Sequence, residues 1–306
     1  MLRQFFIALS ESKSMRAVAE RSPMGKRASA RFVAGLTMED IMRVTKELNH
    51  IGIAVTMDVL GENVTNEQEA RESAGAYHKM LDEITARKLN ANVSVKLTHV
   101  GFDVDEKMCR DLVCGMVKHA AELNNFVRVD MEGSPYTQRT LDLVKDLHAA
   151  VSPVDAVGVV VQSYLYRSEK DVEDLCSNGI RIRLCKGAYK EPADIAFPKK
   201  ADVDANYVKL MKMLLKSGLY HGIATHDENM IRETIAFARQ ENIPNDAFEF
   251  QMLYGIRRDL QEKLVRDGYR MRVYVPFGSE WYPYFMRRLA ERPANVLFIA
   301  KNLLRN

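Results

Sequence analysis

The chain has 306 residues, 47% of them hydrophobic, and a net charge of only +3. That is enough apolar material for one large core or two small ones, and the absence of any long Lys/Arg run argues against nucleic acid as a partner. The four cysteines (Cys109, Cys114, Cys176 and Cys185) form no C-x-x-C pair, which fits a reduced cytoplasmic setting and gives metal ligation little support; no apolar run is long enough to span a membrane, and the patch at 5–9 is too short for a secretory leader.

Residues 1–50 read as a helical arm. Helices are expected over 2–9, 15–20 and 38–49, the last behind Thr37 as N-cap. Through residue 31 the arm carries Arg3, Lys13, Arg16, Arg21, Lys26, Arg27 and Arg31 against Glu11 and Glu20. Such a basic amphipathic arm suits an anionic membrane surface. A solvated helical face packed across the domain is the simpler account and needs no partner.

From residue 51 onward a regular alternation sets in. Strand-like runs are expected at 51–60, 92–99, 126–132, 157–163, 179–185, 221–226, 247–253 and 271–276. Helical patterns fill the intervals at 66–88, 104–122, 137–150, 168–177, 202–217, 228–240, 256–267 and 279–291. Strands that alternate with helices form a parallel sheet with crossover helices, and eight units in this length point to a (β/α)8 TIM-like barrel. The expected organisation is α/β, with an N-terminal helical arm at 1–50 and a single catalytic barrel at 51–306.

Buried parallel strands are normally apolar on both faces, but these alternate. Ser94, Lys96 and Thr98 share one face of the second strand, opposite Val93, Val95 and Leu97. Arg128 and Asp130 share a face of the third, Gln162 lies on the fourth, Arg181, Arg183 and Cys185 on the fifth, and Glu249, Gln251 and Leu253 on the seventh. The apolar faces must meet the helices, so the polar faces line the lumen. Charged groups there are costly unless paired with each other or with a ligand. A self-satisfied network accounts for one or two of them. Five strands that each place a polar residue near the C-terminal end, where barrel active sites lie, call for a ligand.

The last strand and helix carry a second signal. Pro276 is expected to end the strand, because proline has no N–H for the ladder. Gly278 permits a turn, Ser279 is a good N-cap, and Pro293 stops the helix. Tyr284, Arg288 and Glu291 then share a stripe, with Arg287 one step aside. Adjacent arginines clamp a carboxylate or phosphate with forked donors, although an exposed Arg/Glu face has the same composition.

Several barrel chemistries can be weighed against these residues. The seven histidines are scattered and offer no clustered metal site. The chain contains no G-x-G, so no Rossmann fingerprint holds a dinucleotide, and no G-x-S-x-G marks a serine hydrolase. A lyase or aldolase using Lys96 as a Schiff base stays open, as does a non-catalytic binding protein.

The motifs at the strand ends resemble those of one family. They are Asp58-Val-Leu-Gly-Glu62, Ser94-Val-Lys-Leu-Thr98, Val129-Asp-Met-Glu132, Val161-Gln-Ser-Tyr-Leu165 and Arg183-Leu-Cys-Lys-Gly-Ala-Tyr189. Ala224-Thr-His226, Phe248-Glu-Phe-Gln-Met-Leu253 and Tyr274…Arg287-Arg288…Glu291 follow in order. Together, over residues 35–300, they resemble proline dehydrogenase of the short monofunctional bacterial type. Gly133 departs from the pattern, where an acidic residue is more usual. The resemblance implies a flavoenzyme that oxidises L-proline to 1-pyrroline-5-carboxylate by hydride transfer to FAD and passes electrons to a quinone. It implies that Lys96, Arg287 and Arg288 hold the proline carboxylate, that Leu253, Tyr274 and Tyr284 wall the ring, and that Asp130 orients its neighbours. Arg183 is expected beside the reactive edge of the flavin. Gln162, Lys186, Gly187, Ala188, Thr225 and His226 are expected to contact the cofactor, with Asp130 near it, and Glu291 to secure either the arginine pair or the cofactor. A cytoplasmic location with peripheral inner-membrane contact follows from the resemblance, and so does transient pairing with a separate pyrroline-5-carboxylate dehydrogenase.

Overall fold

The computed structural model describes residues 30–61, 64–151 and 155–291, with Met15, Ala19 and Ser22, and every side chain in these stretches except those of 287–291. The arm helices expected at 2–9 and 15–20 lie almost wholly outside the described residues. Helix α1, Met38–His50, starts where expected. The Thr37 side chain accepts from the Asp40 backbone N–H and the Asp40 carboxylate accepts from Thr37 N–H at 3.0 Å, a reciprocal cap that satisfies two orphan donors. Its apolar face, Ile41, Met42 and Val44, joins the main core beside Ile53 and Val55.

Eight parallel strands follow and close on themselves: β1 Ala54–Val59, β2 Ala91–Val95, β3 Val127–Val129, β4 Val157–Gln162, β5 Arg181–Cys185, β6 His221–Ala224, β7 Phe248–Leu253 and β8 Arg270–Phe277. The crossover helices are α2 Glu67–Ala86, α3 Glu106–Glu122, α4 Ser134–Val151, α5 Ser168–Ser177, α6 Lys200–Lys216, α7 Glu228–Gln240 and α8 Arg258–Arg266, with α9 Trp281–Glu291 last. Short polar side chains begin several of these: Asn66 caps α2, Asp105 caps α3 and Asp227 caps α7. The outward positions of the strands, such as Val93, Val95, Val129, Ile182, Leu184 and Ile223, are fully buried against the helices. Each contributes about 1.5–3 kcal/mol of apolar burial, so the period-two pattern is what holds the barrel inside its ring of helices.

Several boundaries differ from the sequence reading. Strand β1 is Ala54–Val59 rather than 51–60, and β3 is only Val127–Val129 rather than 126–132, which leaves Asp130 just beyond it. Three further differences bear on the site. Strand β2 stops at Val95, and residues Leu97–Val100 form a 3-10 turn with Lys96 at its start. The turn is held from β3: the Glu132 carboxylate accepts from Thr98 N at 3.2 Å and Thr98 Oγ1 at 2.7 Å. Thr98 therefore leaves the lumen face. Pro276 does not end β8, which runs on to Phe277. Its carbonyl is still used, by Ala34 N–H at 2.9 Å, and only the missing N–H is forgone. Helix α9 begins at Trp281, two residues beyond Ser279; Pro283 falls in its first turn, where a missing N–H breaks no helical bond. Pro293 lies outside the described residues.

Candidate active site

The lumen is polar, as the alternation implies, but it is divided into layers. Near the N-terminal ends, Arg272 Nε donates to Glu249 Oε1 at 2.7 Å, and Tyr220 donates to Glu249 Oε2 at 2.9 Å. Gln251 links this layer upward, giving Nε2–H to Glu249 at 2.6 Å and accepting from Arg183 Nε at 2.6 Å.

Above it, at the C-terminal ends, four of the expected residues meet directly. Asp130, just past β3, receives Arg183 Nη1 at 2.8 Å and Ser94 Oγ at 2.6 Å on Oδ1, and the Tyr274 hydroxyl at 2.7 Å on Oδ2. Lys96 Nζ donates to Tyr274 Oη at 3.3 Å and stands 3.6 Å from Asp130 Oδ2. The Arg183 guanidinium lies 5.1 Å from the centre of the Tyr274 ring. A fifth member, Asp58 at the end of β1, has no role in the sequence reading; both its oxygens are 3.2 Å from Lys96 Nζ. Ser94 and Gln251 were likewise visible only as polar-face residues. The signal for Asp58 was present, since it is an acid at a strand end beside a lysine-bearing strand, but which strands are neighbours is decided by barrel closure.

Two cations and two carboxylates therefore balance at the barrel centre. Burial by itself lowers the Lys96 pKa, but Asp58, Tyr274 and Asp130 together hold it well above the usual lysine value. Burial raises Asp130 and is outweighed by Arg183 and Lys96, so its carboxyl is held below the usual range. Burial pushes Asp58 up to about 6 against the pull of Lys96. An anionic substrate that reaches a balanced site needs further positive charge to hold it.

The other expected residues flank this centre. Gln162, at the end of β4, gives Nε2–H to the Met131 carbonyl at 3.4 Å, while its buried Oε1 has no partner among the described residues. A buried acceptor of that kind is open to a donor such as a bound ligand. Gly187, after β5, has φ +104, and a Cβ there would stand 2.4 Å from the Tyr164 ring, so only glycine fits. Ala188 is exposed in the same loop. Lys186 is held between Asp204 at 2.5 Å and Asp227 at 2.7 Å, with Lys200 bonded to the same Asp204. Thr225 Oγ1 accepts from Asp227 N at 3.1 Å, and His226 Nε2 accepts from Leu253 N at 2.9 Å, which ties β6 to the end of β7. Tyr284 is buried and Leu253 half-buried in a separate apolar cluster with Phe32, Trp281 and Phe285. The side chains of Arg287, Arg288 and Glu291 lie outside the described residues.

Known proteins match the whole chain. Residues 41–301 fit the family model described as proline dehydrogenase. The chain is 42% identical over 301 residues to proline dehydrogenase 2 of Bacillus subtilis, covering 98% of each, and 40% identical over 304 residues to proline dehydrogenase of Deinococcus radiodurans, covering 96% of this chain and 97% of that one. Among solved structures, proline utilization A from Bdellovibrio bacteriovorus, inactivated by N-propargylglycine, superposes with a TM-score of 0.82 at 27% identity; the match covers 87% of this chain and 33% of that one. The chain belongs to the proline dehydrogenase family, and its fold is the (β/α)8 barrel of that family.

Proposed function

We propose that this chain oxidises L-proline to 1-pyrroline-5-carboxylate with FAD bound at the C-terminal mouth of the barrel, and delivers the electrons to a quinone. The observation that carries the proposal is the buried Lys96–Asp58–Asp130–Arg183–Tyr274 network at that mouth. The residues present also suit a flavin. The orphaned Gln162 Oε1 wants a ring N–H, Arg183 supplies a buried cation, and the loop at Gly187 has the backbone freedom to pass close to a ligand. FAD, when bound, supplies the acceptor for the electron pair and the hydrogen lost by proline.

The chain's own residues do the rest. Lys96, joined by Arg287 and Arg288 from α9, holds the substrate carboxylate by charge-assisted bonds. Asp58 and Asp130 orient Lys96 and keep it protonated. Cations around the carboxylate disfavour the ammonium form of the proline nitrogen, and the neutral amine is the form that loses hydrogen from the adjoining carbon. Tyr274, Tyr284 and Leu253 wall the ring. Arg183 places positive charge where electron density grows. Lys186, Gly187, Ala188, Thr225 and His226 hold the cofactor, and Glu291 secures the arginine pair.

The proposal extends to a barrel unit at 51–306 preceded by an arm at 1–50, whose last helix α1 packs on the barrel. The location is cytoplasmic with peripheral contact to the inner membrane; among the described residues no helix is long and apolar enough to cross one. A separate pyrroline-5-carboxylate dehydrogenase takes the product. The Schiff-base alternative loses ground on one observation. A nucleophilic lysine needs a depressed pKa, whereas the Lys96 ammonium stands 3.2 Å from Asp58 and 3.6 Å from Asp130, two carboxylates that favour its charged form. A visible spectrum tests the proposal: purified protein should show flavin absorbance that bleaches anaerobically on adding L-proline. Colourless protein that takes up no FAD on titration would overturn it.

A further inference from the structure

Among the described residues the mechanism leaves one buried cation unused. Arg128, on the lumen face of β3, is 5% exposed. Its Nη1 donates to two backbone carbonyls, Val159 at 3.1 Å and Arg181 at 2.6 Å. Among the described residues its Nε and Nη2 make no hydrogen bond, and no carboxylate forms an ion pair with it. Buried guanidiniums are normally paired with an anion, because an isolated charge is expensive to desolvate. Burial, then the neighbouring guanidiniums of Arg183 and Arg181, push its pKa well below the usual arginine value, as befits a cation short of negative charge.

The surroundings are built to hold this group. Gly158, opposite it on β4, leaves the space: a Cβ there would stand 2.6 Å from Arg128 Nη1 and 2.3 Å from the Arg181 carbonyl. The Phe126 ring takes Arg128 at 4.6 Å and Arg181 at 4.0 Å from its centre, which fixes both planes. A cavity of about 510 Å³ opens beside them at the N-terminal end of the barrel. Its lining sets Lys88, Arg128, Arg181 and Arg272 against only Asp155 and Glu249. Both carboxylates are already engaged, Asp155 by Arg181 and Glu249 by Arg272, Tyr220 and Gln251.

We propose that a small oxyanion, a carboxylate or a phosphate, binds at the floor of the barrel in the fork of Arg128, at the end opposite the proline site. The unused Nε and Nη2 of a guanidinium match two oxygens of such an anion. Chloride, a single point charge, uses that geometry less well.

The test uses the flavin-loaded enzyme. Its thermal midpoint is followed as inorganic phosphate, or separately acetate, replaces chloride at constant ionic strength. The expected result is a rise that saturates, with proline kcat/KM unchanged at saturation. The two arms tell phosphate from carboxylate preference. Arg128→Met should lose the saturable rise, and Arg181→Met should raise the half-saturating concentration about tenfold while proline turnover stays normal. A non-saturating response that is the same in wild type and variants would overturn the proposal, and so would phosphate competing with proline at that same half-saturation. If Arg128→Met does not fold, Arg181→Met decides, and an unchanged half-saturation there counts against the site.

Discussion

Lys96 is gripped by Asp58, whose two carboxylate oxygens both stand 3.2 Å from its ammonium nitrogen while only 1% of Asp58 is exposed. The lysine is thus held charged and aimed before any ligand arrives, and part of the ordering a flexible lysine would otherwise undergo is already done. The proton balance of Asp58 then becomes measurable.

Burial holds Asp58 up to about 6, against an ordinary value of 3.8. The folded protein therefore binds this proton more tightly than the unfolded chain does. The resulting stability is fully present below the ordinary value and is lost as pH rises through about 6. Asp58→Asn should remove that slope. Urea-unfolding free energies measured across the window for both proteins check it, and a slope that survives in the variant would assign it elsewhere.

Gln162→Leu should separate cofactor binding from folding. The wild-type Oε1 is buried without a partner among the described residues, and an unsatisfied buried acceptor costs about 1–3 kcal/mol. The cofactor-free variant should be as stable as wild type or slightly more so. Its affinity for FAD should fall about tenfold, the value of one lost hydrogen bond. Flavin titration by fluorescence, with a melt of the apoprotein, reads both; undiminished FAD affinity would take Gln162 out of the cofactor site.

The two roles proposed for Tyr274 can be divided by two substitutions. Its hydroxyl bridges Lys96 and Asp130, so Tyr274→Phe should lower kcat/KM for proline by about tenfold, the worth of one charged hydrogen bond, and keep the substrate preference. Tyr274→Ser also removes the ring and should narrow the preference for L-proline over trans-4-hydroxy-L-proline. Steady-state kinetics with both substrates decides; equal discrimination in wild type and Ser variant would refute the wall role.

Arg287→Met and Arg288→Met should each weaken proline binding. A charge-assisted contact to a buried anion is worth ~1.5–3 kcal/mol, so roughly ten- to hundredfold in kcat/KM is expected. Flavin absorbance should be retained, because most proposed cofactor contacts come from other strands. An exposed Arg/Glu face would instead leave kinetics near normal.

The barrel was legible because its information is local. Period-two strands, helical periods and caps such as Thr37 depend on neighbours within a few residues, so eight units and their order could be read directly. The candidate residues Lys96, Asp130, Arg183 and Tyr274 were legible for the same reason, as polar residues on or just beyond strands whose other face is apolar. The errors fall where a distant partner intervenes. Glu132 pulls Thr98 out of β2 into a turn, and Ala34 uses the carbonyl of Pro276, so the strand outlasts its proline.

Alternation by itself determined that the lumen is polar and, Thr98 apart, which strand side chains face it. It did not determine the height of each one in the barrel, because that depends on the register between strands far apart in sequence. Arg128 lies level with Ser94 and Gly158, and Arg183 with Val160 and Gly222. Two positions along β3, about 6.6 Å at the rise of a parallel strand, place Asp130 in the C-terminal network and Arg128 at the floor. Closure of β1 onto β8 likewise brings Asp58 beside the strand that carries Tyr274. Pairings across such separations are made by the whole barrel closing at once, so only the tertiary structure could sort one polar lumen into a balanced reaction centre and a basic floor.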